Sequence, residues 1–297
     1  MKKLALSLAL FIWAPFAFAI APYIAGDKLS SGDIKSVMSQ VEKKLTGEGF
    51  TIIGRHQPGA IAQNYGVLVL SDRGIQDAIQ KIGGSSIVGA GIRVGVRADG
   101  TISYMNPDYW YRAYFRKQFT TGESAVQTLS SRLKKALGAT KVFGGDETAE
   151  NLPNYHYMEG MEKFDSDKNE LKSYPTFEAA VKAVQDNLAK GTNGITKVYE
   201  VIMPGKKIAV FGVALNDPKI GDGAIAKKIG AENIAALPYE IYVVNGKVNA
   251  FYGRYRLALS WPNLGMGTFM RVSEAPDAIL ESLTAVAGGT FEKSRAF

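Results

Sequence analysis

The feature that most constrains this chain is an internal repeat. Pro58-Gly59 and Pro204-Gly205 stand 146 residues apart, and Asp99-Gly100 and Asn245-Gly246 share that offset. Lys81-Ile82-Gly83 and Lys228-Ile229-Gly230 stand 147 apart. A lone Pro-Gly or Asn-Gly match arises by chance. Three matches in one order, at spacings that agree to one residue and with the same periodicity between them, mark two copies of one folding unit.

Each copy reads helix, two strands, helix, hairpin, helix. In the first, Ile34, Val37, Met38, Val41 and Leu45 recur at helical spacing behind the capping residues Ser31, Gly32 and Asp33. Residues 50–53 begin a strand that breaks at Pro58-Gly59, and residues 67–70 form a second strand running into the helix cap Ser71-Asp72. Ile92, Val94 and Val96 alternate up to the tight turn Asp99-Gly100, and Val126, Leu129, Leu133 and Leu137 mark a last helix stopped by Gly138. In the second copy, Phe177, Val181, Val184 and Leu188 repeat the first helix, residues 195–203 and 208–215 the strands, and Ile279, Leu280 and Leu283 the last helix. An opening strand is expected ahead of the second copy, with residues 155–164 as its candidate. Hairpins and tight turns imply an α+β fold: two tandem copies of a two-layer sandwich, mainly antiparallel sheet with helices packed on one face. The expected division is a signal peptide at 1–19, copies at 20–143 and 154–297, and a linker at 144–153.

The N-terminus sets the expected address. Lys2 and Lys3 precede an uncharged apolar run at 4–16, and Ala17-Phe18-Ala19 supplies a small-x-small cleavage site. Cleavage after Ala19 and export to the periplasm are expected; Pro15 and Pro22 interrupt the apolar run and argue against a retained anchor. The chain has no cysteine, so in an oxidising compartment its stability rests on buried cores. Loss of Lys2 and Lys3 lowers the net charge from +7 to +5. Export makes nucleic acid an implausible partner, while the remaining charge is compatible with weak membrane-surface association.

The second copy resembles a known family. Asn216-Asp217-Pro218-Lys219-Ile220-Gly221 follows a Val/Phe-rich strand, Leu237-Pro238-Tyr239 opens the next, and Asn245-Gly246 forms its hairpin. In these elements the chain is similar to domain-of-unknown-function family 302, over residues 32–137 and 155–288. Gly49-Phe50 resembles the family's strand start, but the first copy carries Asp72-Arg73-Gly74-Ile75 and Gly91-Ile92 where the other two elements belong. The resemblance implies an architecture like that of the TATA-binding-protein two-layer sandwiches. It implies no activity and no catalytic residue.

Chemistry-bearing residues are few. No Gly-x-Ser-x-Gly elbow, cysteine nucleophile or His-Glu-x-x-His helix occurs, and no cofactor motif is present. The acidic run at 165–170 lacks the central glycine of a calcium loop and reads as a solvated turn. His56 is expected as a solvated histidine beside the Pro58-Gly59 turn. His156, Met158 and Met161 combine imidazole with thioether, a set suited to Cu(I); one core side chain and one rim histidine is the plainer expectation. Residues 106–117 pack five aromatics and three bases into twelve positions. Tyr109, Trp110, Tyr111 and Arg112 there, with Arg254, Tyr255, Arg256 and Trp261 in the second copy, are the candidate binding residues, because aromatic–arginine clusters recur at interfaces. Rings that only cap and bury a sheet edge are the competing reading.

The expected function is a non-enzymatic, exported binding or accessory protein for an unknown protein or small anionic ligand. The alternatives are an enzyme with an unrecognised site in the inter-domain cleft and a peripheral membrane-associated protein.

Overall fold

A computed structural model describes residues 19–291, so the expected signal peptide, Ala19 apart, lies outside the described residues. Strands β1 (Ala19–Ile20) and β2 (Tyr23–Ala25) precede α1 (Ile34–Gly47). Next come β3 (Thr51–His56), β4 (Tyr65–Ser71), α2 (Arg73–Ile82), the hairpin β5 (Ile92–Arg97) and β6 (Ile102–Met105), α3 (Pro107–Phe115) and α4 (Phe119–Leu137). The short strands β7 (Lys141–Phe143) and β8 (Glu147–Thr148) lead out of this half. The second half holds β9 (Glu170–Ser173), α5 (Phe177–Ala189), β10 (Ile195–Met203), β11 (Ile208–Leu215) and α6 (Asp222–Ile229). It ends with β12 (Tyr239–Val244), β13 (Lys247–Asn249), α7 (Gly253–Ser260), α8 (Met266–Phe269) and α9 (Ala275–Val286).

The fold is α+β, with antiparallel sheets and helices packed on them. The second sheet has the order β10-β11-β12-β13-β9; the first has β3-β4-β5-β6-β2 with β7 added at its edge. The repeat is thus present in topology as well as in spacing. Local chemistry places the helices: Asp33, Asp72 and Thr176 accept hydrogen bonds from the backbone N–H of Ser36, Ile75 and Ala179, satisfying first-turn donors of α1, α2 and α5.

The middle strands β4, β5, β11 and β12 are almost wholly buried, which requires cover on both faces. In the first sheet α1 lies on one face, and a 3-10 segment of the other half, Ala231–Ala236, lies against β4, β5 and β6. Reciprocally, the 3-10 segment Gly84–Ala90 packs on β11 and β12. A Cβ on Gly95 would run into the Ile234 side chain, so the crossing depends on glycine there. Buried residues of both halves form one continuous hydrophobic cluster.

Two expectations change. Residues 155–164 are not a strand: Gly160 turns through φ +77°, and only Tyr155, Glu162 and Phe164 in this stretch are buried. The strand equivalent to β2 is β9, which pairs with β13 as β2 pairs with β6. The acidic run just before it forms a 3-10 turn, Asp167–Asn169, in keeping with the turn expected there. His56 is buried, not solvated, and its Nε2 lies 2.9 Å from Asp222 Oδ2. The Pro58-Gly59 turn that follows it packs against the start of α6, where a Cβ on Gly223 would meet the Pro58 carbonyl at 2.9 Å.

Candidate functional site

The aromatic segment of the first copy folds as α3, with Pro107 in its first turn, where no backbone donor is needed. Its rings point inward. Tyr109, Trp110 and Tyr111 are fully buried, and each donates to a backbone carbonyl: Tyr109 to Leu259 at 2.9 Å, Trp110 to Pro22 at 2.9 Å, Tyr111 to Gly89 at 2.8 Å. Tyr255 and Arg256 are buried in the same way on α7. The expected aromatic–arginine contact surface is therefore corrected at these five residues, which no partner can reach. Of the same set, Arg112 is partly exposed and paired with Asp108 at 2.9 Å, while Arg254 and Trp261 border a cavity.

Arg256 belongs to a sealed ionic cluster between the halves. Its Nε and Nη2 donate to the two Glu240 carboxylate oxygens at 2.9 and 3.1 Å, and Arg93 Nη1 pairs with the same carboxylate. Arg93 Nη2 also donates to the Tyr114 hydroxyl at 3.1 Å. The Trp110 ring lies against both guanidinium groups, 4.6 Å from that of Arg93 and 5.5 Å from that of Arg256. Burial works against both charges, but Glu240 and Tyr114 outweigh it and hold both guanidinium pKa values above their ordinary level. These side chains pair with one another in the interior, leaving only Arg93 Nε of the cluster without a hydrogen-bond partner. The cluster is a structural joint, and so is the sealed His56–Asp222 pair.

The open chemistry lies elsewhere, in a cavity of about 330 Å³. One wall is the connection between the halves, with Tyr155, His156, Tyr157, Met158 and Met161; α7 supplies Arg254 and Ala258. Met266 and Phe269 of α8 close the far side, and Glu147 of β8 contributes a carboxylate. The structure thus brings together five of the residues singled out from the sequence: His156, Met158, Met161, Arg254 and Trp261. Met266, more than a hundred positions further along, was not legible beside them.

Glu162 pins the connection in place. Although 5 % exposed, its carboxylate accepts from Tyr157 Oη at 2.7 Å, Lys168 Nζ at 2.7 Å and Arg254 Nη2 at 2.8 Å. Burial opposes its ionisation, but the bonds from Lys168, Arg254 and Tyr157 prevail and lower its pKa to about 2. A lowered carboxyl pKa adds stability above the unfolded value and loses it as pH falls through the folded one. Lys168 and Arg254 keep contact with water, so the contribution is on the order of 2 kcal/mol. Glu162→Gln is expected to lower stability by about that amount at pH 7 and to remove the loss between pH 5 and pH 2. Urea titrations of both proteins across that range check it.

Among the described residues, no three His, Cys, Asp or Glu side chains group as a metal site, and no helix is long and apolar enough to cross a membrane. No family model, curated protein or solved structure matches the chain.

Proposed function

We propose that this is an exported, non-enzymatic binding protein whose ligand site is the cavity between the 155–161 connection, α7 and α8. One observation carries the reading. Among the described residues, the exposed large hydrophobic side chains are Val142 and four methionines, and three of those methionines, Met158, Met161 and Met266, line this cavity. Exposed apolar side chains gathered in one concavity mark a contact surface, and methionine adapts its shape to what it contacts. The volume suits a small ligand rather than a protein segment. Export follows from the N-terminal charge and apolar pattern, and the likeness of the second copy to domain-of-unknown-function family 302 supports the architecture alone.

A concrete probe is 1-anilinonaphthalene-8-sulfonate, an aromatic anion whose fluorescence rises in apolar sites. The folded chain lacking residues 1–19 is expected to bind it at one site. Ala258→Trp, which fills the cavity, and Met266→Asp, which sets a negative charge at its rim against the anionic dye, are each expected to weaken binding by about tenfold or more while melting stays within a few degrees. Binding that survives both substitutions places the ligand site elsewhere.

A further inference from the structure

We propose that the ligand of this cavity is a soft monovalent metal ion, Cu(I), held by the thioethers of Met158, Met161 and Met266 and the imidazole of His156. The proposal rests on the assignment of the cavity as the binding site and adds the chemical class of its occupant.

The distribution of sulfur is the first support. Met38, Met105 and Met203 are buried in the core, where methionine serves as packing. Met158, Met161 and Met266 are instead 44, 37 and 62 % exposed and line one cavity. Leucine would supply the same apolar area with fewer rotatable bonds. What methionine adds is a polarisable sulfur lone pair, and thioether with imidazole is the ligand set that favours Cu(I) over harder divalent ions. A chain without cysteine that works in an oxidising compartment has no thiolate to offer. Thioethers do not close into disulfides, so they keep their ligand capacity there.

The histidine is the second support. His156 Nδ1 lies 3.3 Å from the Asn154 carbonyl oxygen, which can only accept. That contact lets a backbone carbonyl orient the ring through Nδ1, as in ligating imidazoles, while Nε2 faces the exposed Glu159 carboxylate, which a bound ion would displace. The other histidine, His56, is sealed against Asp222 and unavailable. Electrostatics agree. The Glu159 carboxylate stands 3.4 Å from His156 Nε2, and Glu147 lines the cavity. The one guanidinium in its wall, Arg254, is paired with Glu162. The three methionines come from a connection rich in turns and from the short α8, so their flexible side chains can converge without moving a sheet.

The test uses the chain lacking residues 1–19, with Ag(I) as a redox-inert probe and Cu(I) under anaerobic, reducing conditions in competition with bicinchoninate. One ion per chain is expected. The triple substitution Met158→Leu, Met161→Leu and Met266→Leu keeps the apolar area but removes the sulfur, and should weaken binding by about 100-fold or more. His156→Ala should weaken it by about tenfold or more. Met270→Leu, an exposed methionine outside the cavity, should change nothing, and all variants should melt alike without metal. Failure of the wild-type chain to compete for either ion overturns the proposal, as does a triple variant that binds like wild type. The dye experiment separates the two readings. Dye binding that Ala258→Trp abolishes, without metal binding, leaves the cavity as the site of an organic ligand and removes the metal.

Discussion

Glu240→Leu is expected to destabilise the protein by about 4 kcal/mol or more, because it leaves two buried arginines without their shared carboxylate. Total stabilities are on the order of 5–15 kcal/mol, so the variant should be largely unfolded at moderate temperature. Arg93 and Arg256 are both fully buried, and the cluster carries two positive charges against one negative. The rest of the compensation comes from the Tyr114 and Ser260 hydroxyls, the Ala236 and Pro238 carbonyls at 2.6 and 3.4 Å from Arg256 Nη2, and the face of Trp110. None of these can replace a full charge. Removing all three ionic groups is a different experiment: Arg93→Met, Glu240→Leu and Arg256→Met together leave no buried charge and should recover most of the loss. Urea unfolding of the single and triple variants decides it. A Glu240→Leu protein as stable as wild type would mean that water reaches the cluster.

The same cluster shows why the repeat was legible and its consequence was not. Arg93 and Glu240 occupy equivalent positions: each is the second residue of its strand, paired with Val69 and Gly212 respectively in matching ladders, 147 residues apart. Each copy therefore presents this position to the other. Two identical copies would bring arginine against arginine or glutamate against glutamate, at a cost of several kcal/mol. Fusion into one chain lets the two positions differ in charge. Turn spacing and helical periodicity, read at Pro58-Gly59 and its counterpart, locate the units because both signals are local. The contact between units is a matter of tertiary packing. Its local traces were the unbroken apolar runs at 67–70 and 208–215, which alternation would have interrupted had one face of β4 or β11 met water. The cavity was legible only in part. His156, Met158 and Met161 are neighbours in sequence, but their grouping with Met266 depends on how α8 returns to the connection.

Trp110→Ala should act on stability and not on a recognition surface, with a loss of about 4 kcal/mol or more. The ring is fully buried, its indole N–H donates to the Pro22 carbonyl, and it lies against both guanidinium groups. Truncation therefore opens a cavity and removes the aromatic face that two buried cations share. Trp110→Phe keeps a face and most of the volume. The Pro22 carbonyl still accepts from Asn106 N–H at 2.8 Å, so this variant should lose only about 1–2 kcal/mol. Trp110 does not line the methionine cavity, so folded Trp110→Phe should bind the dye and the metal probes as wild type does. The opposite pattern, stability retained and binding lost, would return the ring to the contact surface that clustered aromatics and arginines suggest. Burial decides between these outcomes in advance, because a ring without solvent exposure cannot meet a partner unless the core opens first.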